Sequence, residues 1–177
     1  MQMRRRYKRD HYQSRVEKIK AVMPHACIGV DVIVGFPNET DDDFKETFNF
    51  INSMNISYLH VFTYSERANT AAIDMVEGIV PMKVRRERNE MLRILSEKKR
   101  RAFYSEFLGQ TRPVLFENHK NPKLLTGFTD NYIKIEVEKT VNTEGLVNWI
   151  LPVELGDFNG EGDVKAVVNL IHENIYA

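Results

Sequence analysis

Two short segments hold the residues best suited to chemistry: Gly35-Phe-Pro-Asn-Glu-Thr40 and Thr63-Tyr-Ser-Glu-Arg-Ala-Asn-Thr70. Each follows a run of β-branched and aromatic residues, where a strand of an α/β fold would end and where such folds bind ligands. Gly35 permits close backbone approach and Pro37 stiffens the turn. Tyr64 offers a flat face, Ser65 a hydroxyl, and Arg67 a planar cation shaped for a carboxylate. Together they suit a nucleoside-bearing ligand with a charged tail, although a turn followed by a helix cap would use several of the same residue types. Other chemistries find little support. Histidines 11, 25, 60, 119 and 172 show no metal-ligand spacing with one another or with Cys27. Cys27, the single cysteine, precedes an apolar run and reads as core rather than nucleophile. No phosphate-binding glycine loop, dinucleotide fingerprint or nucleophile elbow occurs. These residues define a site but not a reaction.

The elements that must position them follow from periodicity. From Asp10, Tyr12, Val16, Ile19 and Met23 recur at helical spacing until Pro24. Residues 28–34 read as a strand buried on both faces. Thr40 and three aspartates form a helix start, with negative charge over the positive end of the helix dipole. Phe44, Phe48, Ile51 and Met54 mark that helix's buried face, and residues 58–64 a second strand containing His60. Strand, helix, strand is a right-handed βαβ unit with parallel strands. Segment 65–80 is irregular. A long helix follows from Pro81 to about Leu108, with Gly109 as a left-handed cap; Val84, Met91, Leu95, Ala102 and Phe107 hold its stripe only roughly. Beyond Gly109 five short β-rich runs, at 111–117, 124–128, 132–137, 147–154 and 164–171, predict a small closed barrel, with Gly156, Gly160 and Gly162 in a loop between strands. The expected organisation is α/β over residues 1–108 followed by all-β over 109–177.

Composition is that of an ordinary folded chain: 177 residues, 42% hydrophobic and 28% charged. No apolar run is long enough for a membrane span, and the charged first residues lack the apolar stretch of a secretory signal. A reducing, cytoplasmic setting is the default. The zero net charge is assembled from blocks: +6 over residues 1–20, −7 over 21–80, +6 over 81–101 and −5 over 102–177. Such blocks can steer a polyanion to one face. Since residues 111–177 alone carry −4, phosphate contacts are expected mainly from Arg4, Arg5, Arg6 and the segment 83–101. Two parallel strands cannot cover their own edges or both faces. The alternation therefore belongs to a larger sheet or barrel, completed by the rest of a longer protein or by a partner.

Three stretches are familiar: Met3-Arg-Arg-Arg-Tyr7, Asp31-Val-Ile-Val-Gly-Phe-Pro-Asn-Glu-Thr40 and Phe62-Thr-Tyr-Ser-Glu-Arg-Ala-Asn-Thr70-Ala-Ala. They resemble the second half of the radical S-adenosylmethionine methylthiotransferases, and the tail from Gly109 resembles the TRAM module, the small RNA-binding barrel that ends these enzymes. Gly127-Phe-Thr-Asp-Asn-Tyr-Ile-Lys-Ile-Glu-Val137 is most similar to the branch acting on threonylcarbamoyladenosine beside the tRNA anticodon. The resemblance implies the last βα units of a radical SAM barrel plus a five-stranded TRAM barrel. It places Asp31, Ile33, Gly35, Tyr64, Ser65 and Arg67 at the adenosylmethionine pocket. It also implies a tRNA anticodon stem-loop as partner, with Lys120, Lys123, Tyr132 and Lys134 of the barrel adding contacts; neither a membrane nor DNA is expected. The CxxxCxxC triad and the N-terminal cluster-bearing region of the family are absent, and Asn69 stands where the family often has Gly. One cysteine cannot ligate a cluster that takes three or four thiolates. By itself the chain is expected to be an inactive portion of an enzyme. Its rivals are the branches acting on a ribosomal-protein aspartate or on isopentenyladenosine, and a stand-alone RNA-binding module.

Overall fold

The computed structural model describes residues 8–66, 77–140, 143 and 145–168. The chain divides into two compact units, residues 1–102 and 103–177.

The first unit contains α1 (Arg9–Val22), β1 (Gly29–Val34), α2 (Asp41–Ser53), β2 (Tyr58–Thr63) and most of α3 (Met82–Ser105). The βαβ expectation holds: β1 and β2 pair in parallel, from Gly29 opposite Tyr58 to Val34 opposite Thr63. α2 begins with a reciprocal cap. Thr40 Oγ1 accepts from Asp43 N at 3.1 Å, and Thr40 N donates to Asp43 Oδ2 at 3.0 Å. Val16, Val32, Val34, Phe44, Ile51, Leu59, Leu92 and Leu95 belong to the core between helices and sheet.

Two expectations for this unit need correction. β1 is not buried on both faces: Val32 and Val34 are buried, whereas Gly29, Asp31 and Ile33 are exposed, as are His60 and Phe62 of β2. A βαβ crossover puts its helix on one face of the sheet, and among the described residues no element covers the other. The stripe of α3 also differs. Its buried positions in the first unit are Arg85, Arg88, Leu92, Leu95 and Ser96, and Met91 is exposed. The apolar period looks rough because two arginines and a serine occupy core-facing positions. Ser96 earns its place by bonding both backbone groups of Leu59, accepting from N at 2.8 Å and donating to O at 3.1 Å.

The second unit opens with the last residues of α3 and forms a closed barrel of β3 (Thr111–Asn118), β4 (Leu124–Thr129), β5 (Lys134–Glu138), β6 (Ile150–Phe158) and β7 (Val164–Val167), in the order β3-β4-β5-β7-β6. Closure comes from β3, which pairs with β4 on one side and β6 on the other. Val114, Phe116, Leu125, Ile133, Ile135, Val153, Leu155 and Val164 fill the interior. The five expected strands are present with shifted limits. β6 starts at Ile150 and runs through Gly156, which lies at a register break and not in a loop; a Cβ there would meet Lys165 O at 3.0 Å. Tyr132 does not start a strand but sits at φ 63° in the β4–β5 turn. Gly109 has the expected left-handed conformation, φ 77°, and its N–H donates to Leu155 O at 2.6 Å.

Candidate functional site

The carboxyl ends of β1 and β2 are tied together by backbone and aromatic contacts. Tyr64 N donates to Val34 O at 2.8 Å, and the Tyr64 ring meets Phe36 edge-on at 5.3 Å. Gly35 has φ 77° and is buried; an added Cβ would lie 2.4 Å from Arg85 Cγ. Only glycine fits such a backbone against another side chain without strain. Its N–H donates to Glu39 Oε2 at 2.7 Å. Asn38, also left-handed at φ 66°, donates from N to Gly78 O at 2.7 Å.

Beneath these turns lie two arginines of α3. Arg85 is 2% exposed. It donates to Val80 O from Nε at 2.7 Å, to Tyr64 O from Nη1 at 2.9 Å and to Glu66 Oε1 from Nη2 at 2.6 Å, with its guanidinium 5.3 Å from the Tyr64 ring centre. The hydrogen bond from Arg85 holds the Glu66 carboxyl below its ordinary range. Arg88, 5% exposed, donates to Glu39 Oε2 at 2.6 Å and to Asp41 Oδ1 at 2.7 Å, and packs over Phe44. Burial works against its charge, but the Asp41 and Glu39 carboxylates outweigh that cost and raise its pKa. Each guanidinium thus fixes the loop after one strand: Arg88 the loop after β1, Arg85 the loop after β2.

These arginines were expected to meet phosphate along with the rest of segment 83–101; that expectation is wrong for both, because they are buried in ion pairs. Lys99 is committed too. Its Nζ donates to Met54 O at 2.8 Å and Asn52 O at 3.1 Å at the end of α2, and burial lowers its pKa. The sequence does carry a signal. Positions 85, 88, 92 and 95 share one helix face, and acids at 39, 41 and 66 follow the two strands.

Of the residues assigned to a cofactor pocket, Gly35, Tyr64 and Ser65 stand at the adjoining strand ends. Asp31 and Ile33 lie on the open face of the sheet, in register with His60 and Phe62. Arg67 lies outside the described residues, as do Arg4, Arg5 and Arg6. Grooves run along both unpaired edges of the sheet. The one beside β1 has about 780 Å³ and is lined by Tyr12, Val30, Val32, Phe50 and Met54 among others. The one beside β2 is lined by Phe62, Asn89 and Arg93 among others.

In the barrel, Lys120 and Lys123 are exposed in the β3–β4 connection. Tyr132, 69% exposed, leans on Phe128, and Lys134 Nζ pairs with the buried Asp163 at 2.6 Å. The register pairs Leu124 with Glu138 and Phe128 with Lys134. The two lysines and the Tyr132–Lys134 pair therefore sit at opposite ends of β4, about 14 Å apart along the strand.

No family model matches the chain. It is 34% identical over 170 residues to the threonylcarbamoyladenosine tRNA methylthiotransferase of Bacillus subtilis, covering 94% of this chain and 38% of that protein. It is 40% identical over 149 residues to the tRNA-2-methylthio-N(6)-dimethylallyladenosine synthase of Bacillus velezensis, covering 81% of this chain and 27% of that protein. The chain is a homologue of the radical S-adenosylmethionine tRNA methylthiotransferases. It matches a C-terminal portion of that family and spans 38% or less of the length of these relatives. Methylthiotransferases of this family are iron–sulfur enzymes that use adenosylmethionine. The five-stranded barrel is consistent with their TRAM module. Among the described residues no helix is long and apolar enough to cross a membrane, and no group of three or more His, Cys, Asp or Glu residues is placed to hold a metal ion.

Proposed function

We propose that this chain is the C-terminal portion of a tRNA methylthiotransferase that modifies threonylcarbamoyladenosine beside the anticodon. The observation that carries the reading is the 170-residue match, which takes in 94% of the chain. The chain contributes one side of the adenosylmethionine pocket and the barrel that grips tRNA, and is inactive without the cluster-bearing remainder of the enzyme. Cluster ligation falls outside it because it has one cysteine. The open edges of β1 and β2, each beside a groove, are where the remaining strands of a radical SAM barrel would pair.

The strand ends fit a nucleoside cofactor. Gly35 turns the chain tightly at the end of β1, Tyr64 and Ser65 offer a ring and a hydroxyl, and Asp31 and Ile33 would face the enclosed side of a completed sheet. Arg67 would pair with the cofactor's carboxylate tail. Bound there, adenosylmethionine supplies the hydrogen-abstracting radical and the methyl group. On the RNA side, Arg4, Arg5 and Arg6 carry phosphate contacts, and Lys120, Lys123, Tyr132 and Lys134 add contacts from the barrel.

A second reading, modification of dimethylallyladenosine, is favoured by the 40% identity to the synthase of B. velezensis. A chimaera separates the two. This chain replaces the matching region of the B. subtilis relative in cells lacking both activities, and digested tRNA is analysed by mass spectrometry. Methylthiolated threonylcarbamoyladenosine supports the proposal. Methylthiolated dimethylallyladenosine supports the second reading, and neither product from a stable chimaera overturns both.

A further inference from the structure

We propose that the outward stripe of α1, formed by Lys8, His11, Arg15 and Lys18, is a docking surface for the phosphate backbone of RNA. The spacing of four and three residues confines His11, Arg15 and Lys18 to an arc of about 60° on a helix turning 100° per residue, over about 10 Å of its length, and Lys8 is the N-cap residue just before them. All four are exposed, and none has an acidic partner among the described residues. The acids of α1 point elsewhere. Asp10 and Glu17 lie about 110–130° round the helix from the middle of the stripe, and Glu17 accepts from Gln13 Nε2 at 2.7 Å. The remaining cations of α1 are already used: Arg9 pairs with Glu46 at 2.6 Å, and Lys20 donates to Ala26 O at 2.7 Å.

α3 is equally basic but differs in kind. Arg85 and Arg88 are buried, Lys99 caps α2, and the outward cations are interleaved with Glu87, Glu90 and Glu97. Lys83 lies 3.9 Å from Glu87, and Arg100 pairs with Glu97 at 2.8 Å. A polyanion meets mixed sign there, but a single sign along the stripe of α1. Residues 21–66 are acidic apart from Lys45, so repulsion around the stripe steers a polyanion onto it. RNA is favoured over an anionic membrane because Val16 and Tyr12 of α1 pack against the chain's own core, and the two apolar residues of α1 left exposed, Ile19 and Val22, are too few to form an inserting face. The choice of RNA rests on the reading that this chain handles tRNA. The contacts are to backbone, so they add affinity and orientation without reading bases.

The test titrates the full chain against a synthetic anticodon stem-loop RNA between about 50 and 200 mM salt. Replacing Lys8, Arg15 and Lys18 by Gln should flatten the slope of log affinity against log salt by about two to three, the value for three lost phosphate contacts. Binding should weaken at least tenfold at the lower salt. A control triple variant, Lys45→Gln, Lys83→Gln and Lys98→Gln, removes the same charge from other exposed positions and should leave the slope unchanged. If the stripe variant keeps the wild-type slope while the chain binds RNA, the stripe assignment fails and the tRNA reading stands. If both variants lose slope equally, the effect is net charge and the assignment fails. If the wild-type chain ignores RNA but binds phosphatidylserine vesicles through the stripe, both the assignment and the tRNA reading fall.

Discussion

Every strand of the barrel has two neighbours, whereas among the described residues β1 and β2 have one each. The barrel satisfies its backbone groups internally, and its interior residues reach 0–1% exposure. Among the described residues the first unit leaves two edges and a sheet face uncovered, with Phe62 at 53% exposure. What stabilises it instead is a helix-side core plus buried ion pairs under the strand ends. The barrel closes on itself. In the first unit the described loops after the strands are held in place by arginines.

The largest expected effect separates the two kinds of packing. Phe116→Ala in the barrel should cost about 3–5 kcal/mol, the range for a buried Phe truncation. Ile33→Ala on the open face should cost less than about 1 kcal/mol, because that side chain is 39% exposed. Urea unfolding of each variant measures both, and an Ile33→Ala loss as large as that of Phe116→Ala would mean the open face is covered in solution.

Next come the ion pairs. Arg88→Ala leaves the Glu39 carboxylate, 15% exposed, without its guanidinium. A loss of about 3 kcal/mol is expected, and Arg88→Lys should recover only part of it, since one ammonium cannot span Glu39 and Asp41 as the planar fork does. Denaturant midpoints of the two variants decide this.

Gly35→Ala forces a side chain onto a left-handed backbone against the Arg85 stem and should cost about 1–2 kcal/mol. The Gly109→Ala counterpart, also at positive φ, meets no atom within 4 Å and should show only the conformational part of that cost.

The smallest effect is at the α2 cap. Thr40→Ala should cost about 1 kcal/mol. The Thr40 hydroxyl and N–H hold the Asp43 carboxyl below its ordinary range. A depressed carboxyl stabilises the fold above its unfolded pKa, and that contribution disappears as pH falls through the lower, folded value. Glu66, held down by Arg85, acts in the same direction. Stability should therefore fall on acidification below about pH 4, and Asp43→Asn should flatten that limb of the stability–pH curve.

Much of the fold was legible because its signals are local. Thr40 with three aspartates marked a helix start, alternating runs separated by Gly, Asn and Pro marked the barrel strands, and the βαβ order fixed parallel pairing. The placement of Gly35, Tyr64 and Ser65 at the strand ends was legible, because unusual residues interrupt apolar runs there. Its supporting arginines were hidden, since a basic residue in a helix ordinarily reads as solvated surface. Tyr132 was misplaced by a similar mechanism. Its β-type residue preference yields to a turn in which Thr129 Oγ1 accepts from Ile133 N at 2.8 Å and Tyr104 Oη donates to Tyr132 O at 3.4 Å.

The sequence by itself determined the order of elements and the residues at the strand ends, because caps, turns and periodicity act over a few neighbouring residues. Only the tertiary structure decided which cations are buried and which face water. Whether Arg88 meets solvent or Glu39 depends on bringing together groups 49 positions apart, and no local pattern encodes that distance. The same physics sorted the two basic helices, turning α3 toward acids on neighbouring elements and leaving the stripe of α1 exposed.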